Sequence, residues 1–280
     1  MRAILLPTDF SKNSLNAINY AVELFKEVDC QFYVLNVQKA SAFISDDMMV
    51  VSSTTTIYNT LIDAAKKSIA NVISNIKTKH NNKKHSFHSI VDYDNFMDSI
   101  NQMVKKYNID LIVMGTKGAS GLSRILFGSN TVRVMRNCDT PLLAIPSECE
   151  FNALKEIGFV TNHITLYDKE TLKALKDLVT ISTADLTILH LTNDTNSEEY
   201  IHNHTFFDLY FNKVSHRSIE TEREGILNSI KTKEEYDNIG MLSIVKKHHS
   251  FLEYLLKNFT EEEIAYSCQL PLLILNKETL

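Results

Sequence analysis

Four of the seven glycines in this 280-residue chain, Gly115, Gly118, Gly121 and Gly128, fall inside the eighteen residues "MGTKGASGLSRILFGSNT" (114–131). Glycine brings no Cβ, so the backbone N–H groups of such a stretch can close on an anion. A helix that starts directly after the last glycine, at Ser129 and Asn130, adds unpaired N–H donors and the positive end of its dipole. Lys117 and Arg124 put positive charge in the same stretch. The chemistry this suits is retention of a phosphate chain. Each hydrogen bond to a charged partner contributes about 1.5–3 kcal/mol, so a few donors are enough for micromolar binding. A second polar group stands far upstream, in Pro7, Thr8 and Asp9 of "LLPTDF".

The elements that must bring these residues together are legible in the pattern. "RAILLPTD" reads as a buried strand. Ser11 then stands at a helix N-cap, and Leu15, Ile18, Val22 and Phe25 follow at helical spacing. "CQFYVLNV" (30–37) is a second strand. Leu61, Ala65, Ile69, Val72 and Ile76 mark one face of a long helix. "HSFHSIV" (85–91) alternates as a third strand. Phe96, Ile100 and Val104 point inward from the next helix, and "IDLIVMG" (109–115) is a continuous apolar strand ending on Met114 and Gly115. "SNTVRVMRNC" is a helix and "TPLLAIP" (140–146) the last strand. The order βαβαβαβαβ predicts a doubly wound parallel sheet, with its ligand at the carboxyl ends of the strands.

The remainder of the chain repeats this plan. "CDTPLLAI" (138–145) returns as "CQLPLLIL" (268–275), 130 residues later, and "LLPTDF" is answered by "GFVTNH" (158–163), with Thr161 over Thr8 and Asn162 over Asp9. "ADLTILHL" (184–191) stands for the second strand and "YDNIGMLSI" (236–244) for the fourth. The expected architecture is therefore two tandem α/β units, each a doubly wound five-stranded parallel sheet of Rossmann-like type, over residues 1–147 and 153–280. The strands "PLLAI" and "PLLIL" are expected to pair within one chain as a pseudo-dimer, with a homodimer of whole chains also open.

Charge divides unevenly between the halves. Residues 1–147 hold 16 Lys and Arg against 12 Asp and Glu, whereas residues 148–280 hold 13 against 22. The first half suits an anion; the acidic second half argues against a nucleic-acid surface along the whole protein. No apolar run is long enough for a membrane span or a secretory segment. Cys30, Cys138, Cys149 and Cys268 form no CxxC pair, which fits free thiols in a cytoplasmic protein.

Neither common nucleotide fingerprint fits. Gly-Lys-Ser/Thr is missing, and the glycines follow the fourth strand instead of the first. The spacing Gly115-x2-Gly118-x9-Gly128-Ser129, with "PTDF" after the first strand and the "TPLLAIP" ending, resembles the universal stress protein family in its tandem form. That resemblance implies the adenine-nucleotide alpha-hydrolase-like fold and binding of ATP, or of ADP or AMP, in the first half. It puts Pro7, Thr8 and Asp9 against the adenosine, and the Val37 backbone at the adenine edge. Met114, Gly115 and Gly118 fall on the ribose and phosphate loop, and Gly128, Ser129 and Asn130 on the helix start that holds the phosphates. Asp9 could hold Mg²⁺. Ala119 stands where many members place an arginine, which removes a charge and leaves the backbone cradle.

In the second half the offsets of Gly128 and Ser129 fall on Asn258 and Phe259, with Glu261, Glu262 and Glu263 beside them. Bulk and negative charge there predict no nucleotide. His202, His204, His248 and His249 lie outside any zinc-finger or HExxH spacing, and are expected to be solvated or half-buried, with no metal bound. Three functions compete: a nucleotide-binding stress regulator with an unnamed protein partner and residues 44–60 as its lid, a slow ATPase or phosphoryl or nucleotidyl transferase, and a nucleotide-free scaffold. No catalytic base is evident beside the glycines, which favours a protein that is not an enzyme.

Overall fold

A computed structural model describes residues 2–38, 51–93, 95–116, 128–163, 166–191, 195–219, 238–246 and 270–276. The first half runs β1 (Ala3–Pro7), α1 (Lys12–Leu24), β2 (Cys30–Val37), α2 (Val51–His80), β3 (His85–Asp92), α3 (Phe96–Tyr107), β4 (Leu111–Gly115), α4 (Ser129–Asn137) and β5 (Leu142–Ile145). The second runs β6 (Glu156–Thr161), α5 (Lys169–Ser182), β7 (Asp185–His190), α6 (Glu198–Tyr210), β8 (Val214–Ser218), β9 (Ile239–Lys246) and β10 (Leu272–Asn276).

The expected parallel units are present, joined edge to edge. The strand order is β3-β2-β1-β4-β5-β10-β9-β6-β7-β8, one ten-stranded sheet among the described residues. Each half is parallel throughout, and the joint between them is antiparallel, with Leu142 opposite Ile274, Leu143 opposite Leu273 and Ala144 opposite Leu272. Two separate sheets are therefore replaced by a continuous one. Leaving an apolar row such as "LLAI" or "LLILN" as an open edge would expose unpaired backbone groups, and the two rows satisfy one another. Side chains cross the joint as well. Asn276 Nδ2 donates to the Cys138 carbonyl oxygen at 2.9 Å, and Lys246 Nζ to that of Arg136 at 2.8 Å.

Alternation along the strands builds two apolar layers. Ile4, Leu6, Phe32, Val34, Ile157, Phe159 and Ile188 face one side, where α1, α2, α5 and α6 pack through residues such as Ile18, Ile69, Leu175 and Phe207. Leu5, Leu35, Ile112, Val160 and Leu189 face the other, where α3 and α4 pack through Ile100 and Val134. Burying each such side chain stabilises the fold by about 1.5–3 kcal/mol. The helix starts follow from local chemistry: Ser11, Asn95, Asp168 and Ser197 each accept a bond from a first-turn N–H of α1, α3, α5 and α6.

Candidate nucleotide site at the carboxyl ends of β1, β2 and β4

β1 lies between β2 and β4, so the carboxyl ends of all three open on one crevice, at the point where the strand order reverses. Pro7 is buried in β1 opposite Leu35 of β2. Thr8 is buried, and its hydroxyl is already used. It accepts from the Phe10 N–H at 3.0 Å and bonds Ser14 Oγ at 2.9 Å. This turn holds Phe10 in the left-handed region, at φ 63°. Asp9 is exposed at its crest, with one carboxylate oxygen accepting from the Ser11 N–H at 3.0 Å. The cap of α1 is thus Ser11, and Asp9 presents its charge outward.

β2 ends at Val37, half-buried and opposite Asp92 of β3. Asn36 beneath it is buried and donates to the Thr8 carbonyl oxygen at 2.7 Å, which locks the ends of β1 and β2 together. Asp92 Oδ2 is buried and has no hydrogen-bond partner among the described residues.

On the other side, Met114 is a core residue by its side chain and could meet a ligand only through its backbone. Gly115 has a packing reason of its own. A Cβ there would come within 2.8 Å of the Asn13 carbonyl oxygen, so the absence of a side chain lets the first turn of α1 rest on the end of β4. α4 is fastened to the same strand end. Thr131 Oγ1 donates to the Gly115 carbonyl oxygen at 2.9 Å, and the Gly128 N–H to that of Thr116. Among the helices whose caps are described, α4 alone has no side chain capping its start; Gly128 is the N-cap, and Ser129 and Asn130 are exposed. Among the described residues no side chain takes the N–H groups of its first turn, the donors that a helix start can offer to an anion.

Gly118, Gly121, Lys117, Ala119 and Arg124 lie outside the described residues, as do 44–50 of the expected lid; 51–60 form the first turns of α2. Asn258, Phe259, Glu261, Glu262, Glu263, His248, His249 and Cys268 also lie outside them.

The second half keeps the turn and changes its contents. Thr161 accepts from the His163 N–H at 3.1 Å, and His163 has φ 57°, as Phe10 does in the first half. At the ends of β6 and β7, His163 and His190 stack at 4.8 Å, and Tyr200 and the fully buried Asn203 of α6 pack on them. Burial holds the His163 imidazole down at about 4 and that of His190 at about 3, with the surrounding imidazoles adding to the shift, so both rings are neutral near pH 7. Sequence reasoning singled out His204 and passed over His163, His190, Asp208 and His216. The available signal was the helical spacing of His204 and Asp208 in "HTFFD" and a histidine at the end of two successive strands.

A doubly wound parallel sheet whose strand order reverses beside these residues defines an α/β class of protein in which ligands lie at the carboxyl ends of the strands. Residues 1–146 match the universal stress protein family, and the chain belongs to it. A universal stress protein of Methanocaldococcus jannaschii is 29% identical over 144 residues, covering 51% of this chain and 81% of that one. A universal stress protein from Archaeoglobus fulgidus has the same fold over 99% of this chain and 98% of its own, with TM-score 0.66 and 17% identity. A functionally unknown protein from Pseudomonas aeruginosa matches over 99% of this chain and 92% of its own, with TM-score 0.54 and 12% identity. Both structural likenesses span the two halves.

Proposed function

We propose that the first half, residues 1–147, binds one adenine nucleotide, with ATP the principal ligand and ADP or AMP alternatives. In this reading the protein acts as a cytoplasmic stress-response regulator whose occupancy is read by a protein partner. The observation that carries this is the start of α4, which no side chain among the described residues caps and which follows β4, the neighbour of the strand that leads into Asp9. The phosphates would take the N–H groups of Ser129 and Asn130, with Gly118 in the intervening loop. The adenosine would lie over Thr8 and Asp9, and the adenine edge would meet the Val37 backbone. The unpartnered Asp92 Oδ2 offers an acceptor for an exocyclic amine at that edge. Mg²⁺, when it accompanies the phosphates, has Asp9 as its ligand from the chain.

The second half, residues 153–280, carries no such site in this reading. His163, Tyr200 and Asn203 fill the ends of β6 and β7 with the protein's own side chains. Cys30, Cys138 and Cys149 are free, with burial pushing the Cys30 and Cys149 thiols up to about 11, which suits a reducing compartment. Among the described residues no helix is long and apolar enough to cross a membrane.

Equilibrium titration of ATP against the wild-type chain and Gly118→Val tests the proposal. It predicts one nucleotide per chain, bound at micromolar concentration and lost in the variant. Wild-type binding weaker than millimolar would end it.

A further inference from the structure

We infer that His204, Asp208 and His216 form a binding site for one divalent transition-metal ion of the zinc type, with His190 as its outer hydrogen-bond partner. The three come together through a short return of the chain. His204 and Asp208 are four residues apart on α6, hence on one face. The chain then turns back at once into β8, the last strand of the sheet, whose third residue is His216. His216 Nε2 lies 3.1 Å from Asp208 Oδ1 and His204 Nδ1 lies 3.2 Å from Asp208 Oδ2, and one donor atom from each residue falls within 4.8 Å of the others. A tetrahedral ion with bonds of about 2 Å holds its ligand atoms about 3.3 Å apart, so the ion is held once the two stacked imidazoles rotate to aim their nitrogen lone pairs at one point. The two imidazoles are nearly parallel, 3.8 Å between centroids, and both direct a nitrogen at the same carboxylate.

The donor set is two imidazoles and one carboxylate, which suits zinc and its first-row neighbours and leaves a coordination position open. Side-chain exposures of 38% at His204, 50% at Asp208 and 17% at His216 give an ion direct entry from solvent. The neighbouring cation, Arg217, lies 3.5 Å from the Glu156 carboxylate.

Metal-binding histidines give their second nitrogen to a fixed partner, and His216 has one. Its Nδ1 lies 2.9 Å from His190 Nε2, and His190 Nδ1 lies 2.6 Å from His163 Nε2. The polarity of this relay follows from its inner end. The Tyr167 N–H donates to Asn203 Oδ1 at 3.0 Å, which turns the Asn203 amide nitrogen toward His163 Nδ1, at 3.5 Å. His163 Nε2–H then donates to His190, His190 Nε2–H to His216, and His216 Nε2–H to Asp208. An ion on His216 Nε2 displaces that last proton. The His216 ring keeps its one proton on Nδ1, the bonds to His190 and His163 reverse, and His163 ends protonated on Nδ1, which gives up its 3.5 Å bond from the Asn203 amide nitrogen and parts the two donors. Every ring remains neutral, so the protons balance.

Titrating the 280-residue, nucleotide-free chain with Co²⁺, and then displacing it with Zn²⁺, tests the site. One ion per chain is expected, with a visible d–d band of a low-coordinate site and no thiolate charge-transfer band. Asp208→Asn at an exposed position and His204→Gln at a half-buried one should each weaken binding at least ~10-fold with unchanged circular dichroism, and His202→Ala should not. In the wild-type chain, the ring-nitrogen signals of His163 should exchange tautomer on addition of Zn²⁺. No binding at millimolar Co²⁺, a thiolate band, or binding that survives His204→Gln/Asp208→Asn would overturn the inference.

Discussion

The contact between Gly115 and Asn13 makes a prediction that separates the architecture of the crevice from its ligand. In Gly115→Ala the added methyl would lie 2.8 Å from the Asn13 carbonyl oxygen and 3.0 Å from the carbonyl carbon, where ordinary contact begins at 3.4 Å. Both atoms are backbone, so no rotamer change relieves the overlap. The first turn of α1 must retreat from β4 by about 0.5 Å, and overpacking of this kind costs about 1–3 kcal/mol. The melting temperature should fall by several degrees, on the order of 5 °C. The same retreat carries the Asp9–Ser11 turn away from the start of α4, so ATP affinity should drop by about tenfold, equivalent to 1.4 kcal/mol. Gly158→Ala is the matched control. Its methyl would meet the side-chain ends of Leu189 at 2.9 Å and Leu242 at 3.0 Å, which can rotate aside, in the half for which no nucleotide is proposed. It should cost less stability and leave ATP affinity alone. Thermal unfolding and calorimetric titration read both quantities on both variants. An unchanged melting temperature in Gly115→Ala would refute the argument from backbone contact. Equal loss of ATP affinity in the two variants would show a general loosening in place of a local displacement.

Further outcomes follow from other contacts. Asp9→Asn keeps the oxygen that accepts from the Ser11 N–H and removes the charge; it should leave the melting temperature within about 1 °C and change the Mg²⁺ dependence of ATP binding, as fluorescence titration with and without Mg²⁺ would show. The metal-free chain should lose stability as pH falls from about 6.5 towards 4. The His163 pKa is depressed in the folded state, where the ring is enclosed by His190, Tyr200 and Asn203, so the unfolded chain binds the proton first. The loss reaches about 3 kcal/mol for that residue, and urea unfolding at pH 7 and pH 5 should show a smaller difference in His163→Gln. Asn276→Ala removes the bond to the Cys138 carbonyl oxygen across the joint and should cost about 1 kcal/mol by urea unfolding, without affecting ATP binding.

Features with a local cause were legible from the chain alone. Ser11 caps α1 because a hydroxyl there reaches its own third neighbour, and the apolar runs of β1 and β4 declare themselves as buried strands. The pairing of "LLAI" with "LLILN" was readable because both runs are apolar and similar. What escaped depends on contacts distant in sequence. The need for Gly115 arises from Asn13, a hundred residues earlier, and no spacing rule reports it. The histidine relay escaped for the same reason. His163, His190 and His216 become neighbours only because β6, β7 and β8 lie side by side, and each alone looks like an ordinary strand-end residue. α2 begins at Val51, before its amphipathic pattern becomes clear.

The antiparallel joint has a consequence for how the protein can change over generations. When two identical chains meet through their last strands, every substitution appears on both sides of the axis. A useful change on one side must be tolerated on the other. Here β5 and β10 belong to one polypeptide and differ in sequence, so a substitution is made once. The pairing partner is always present, at no dependence on concentration, and the sheet stays closed at that edge whatever happens at the far ends of either half. A histidine cluster could therefore arise beside β8 while the crevice beside β1 kept its glycines, with each half free to drift so long as the joint held.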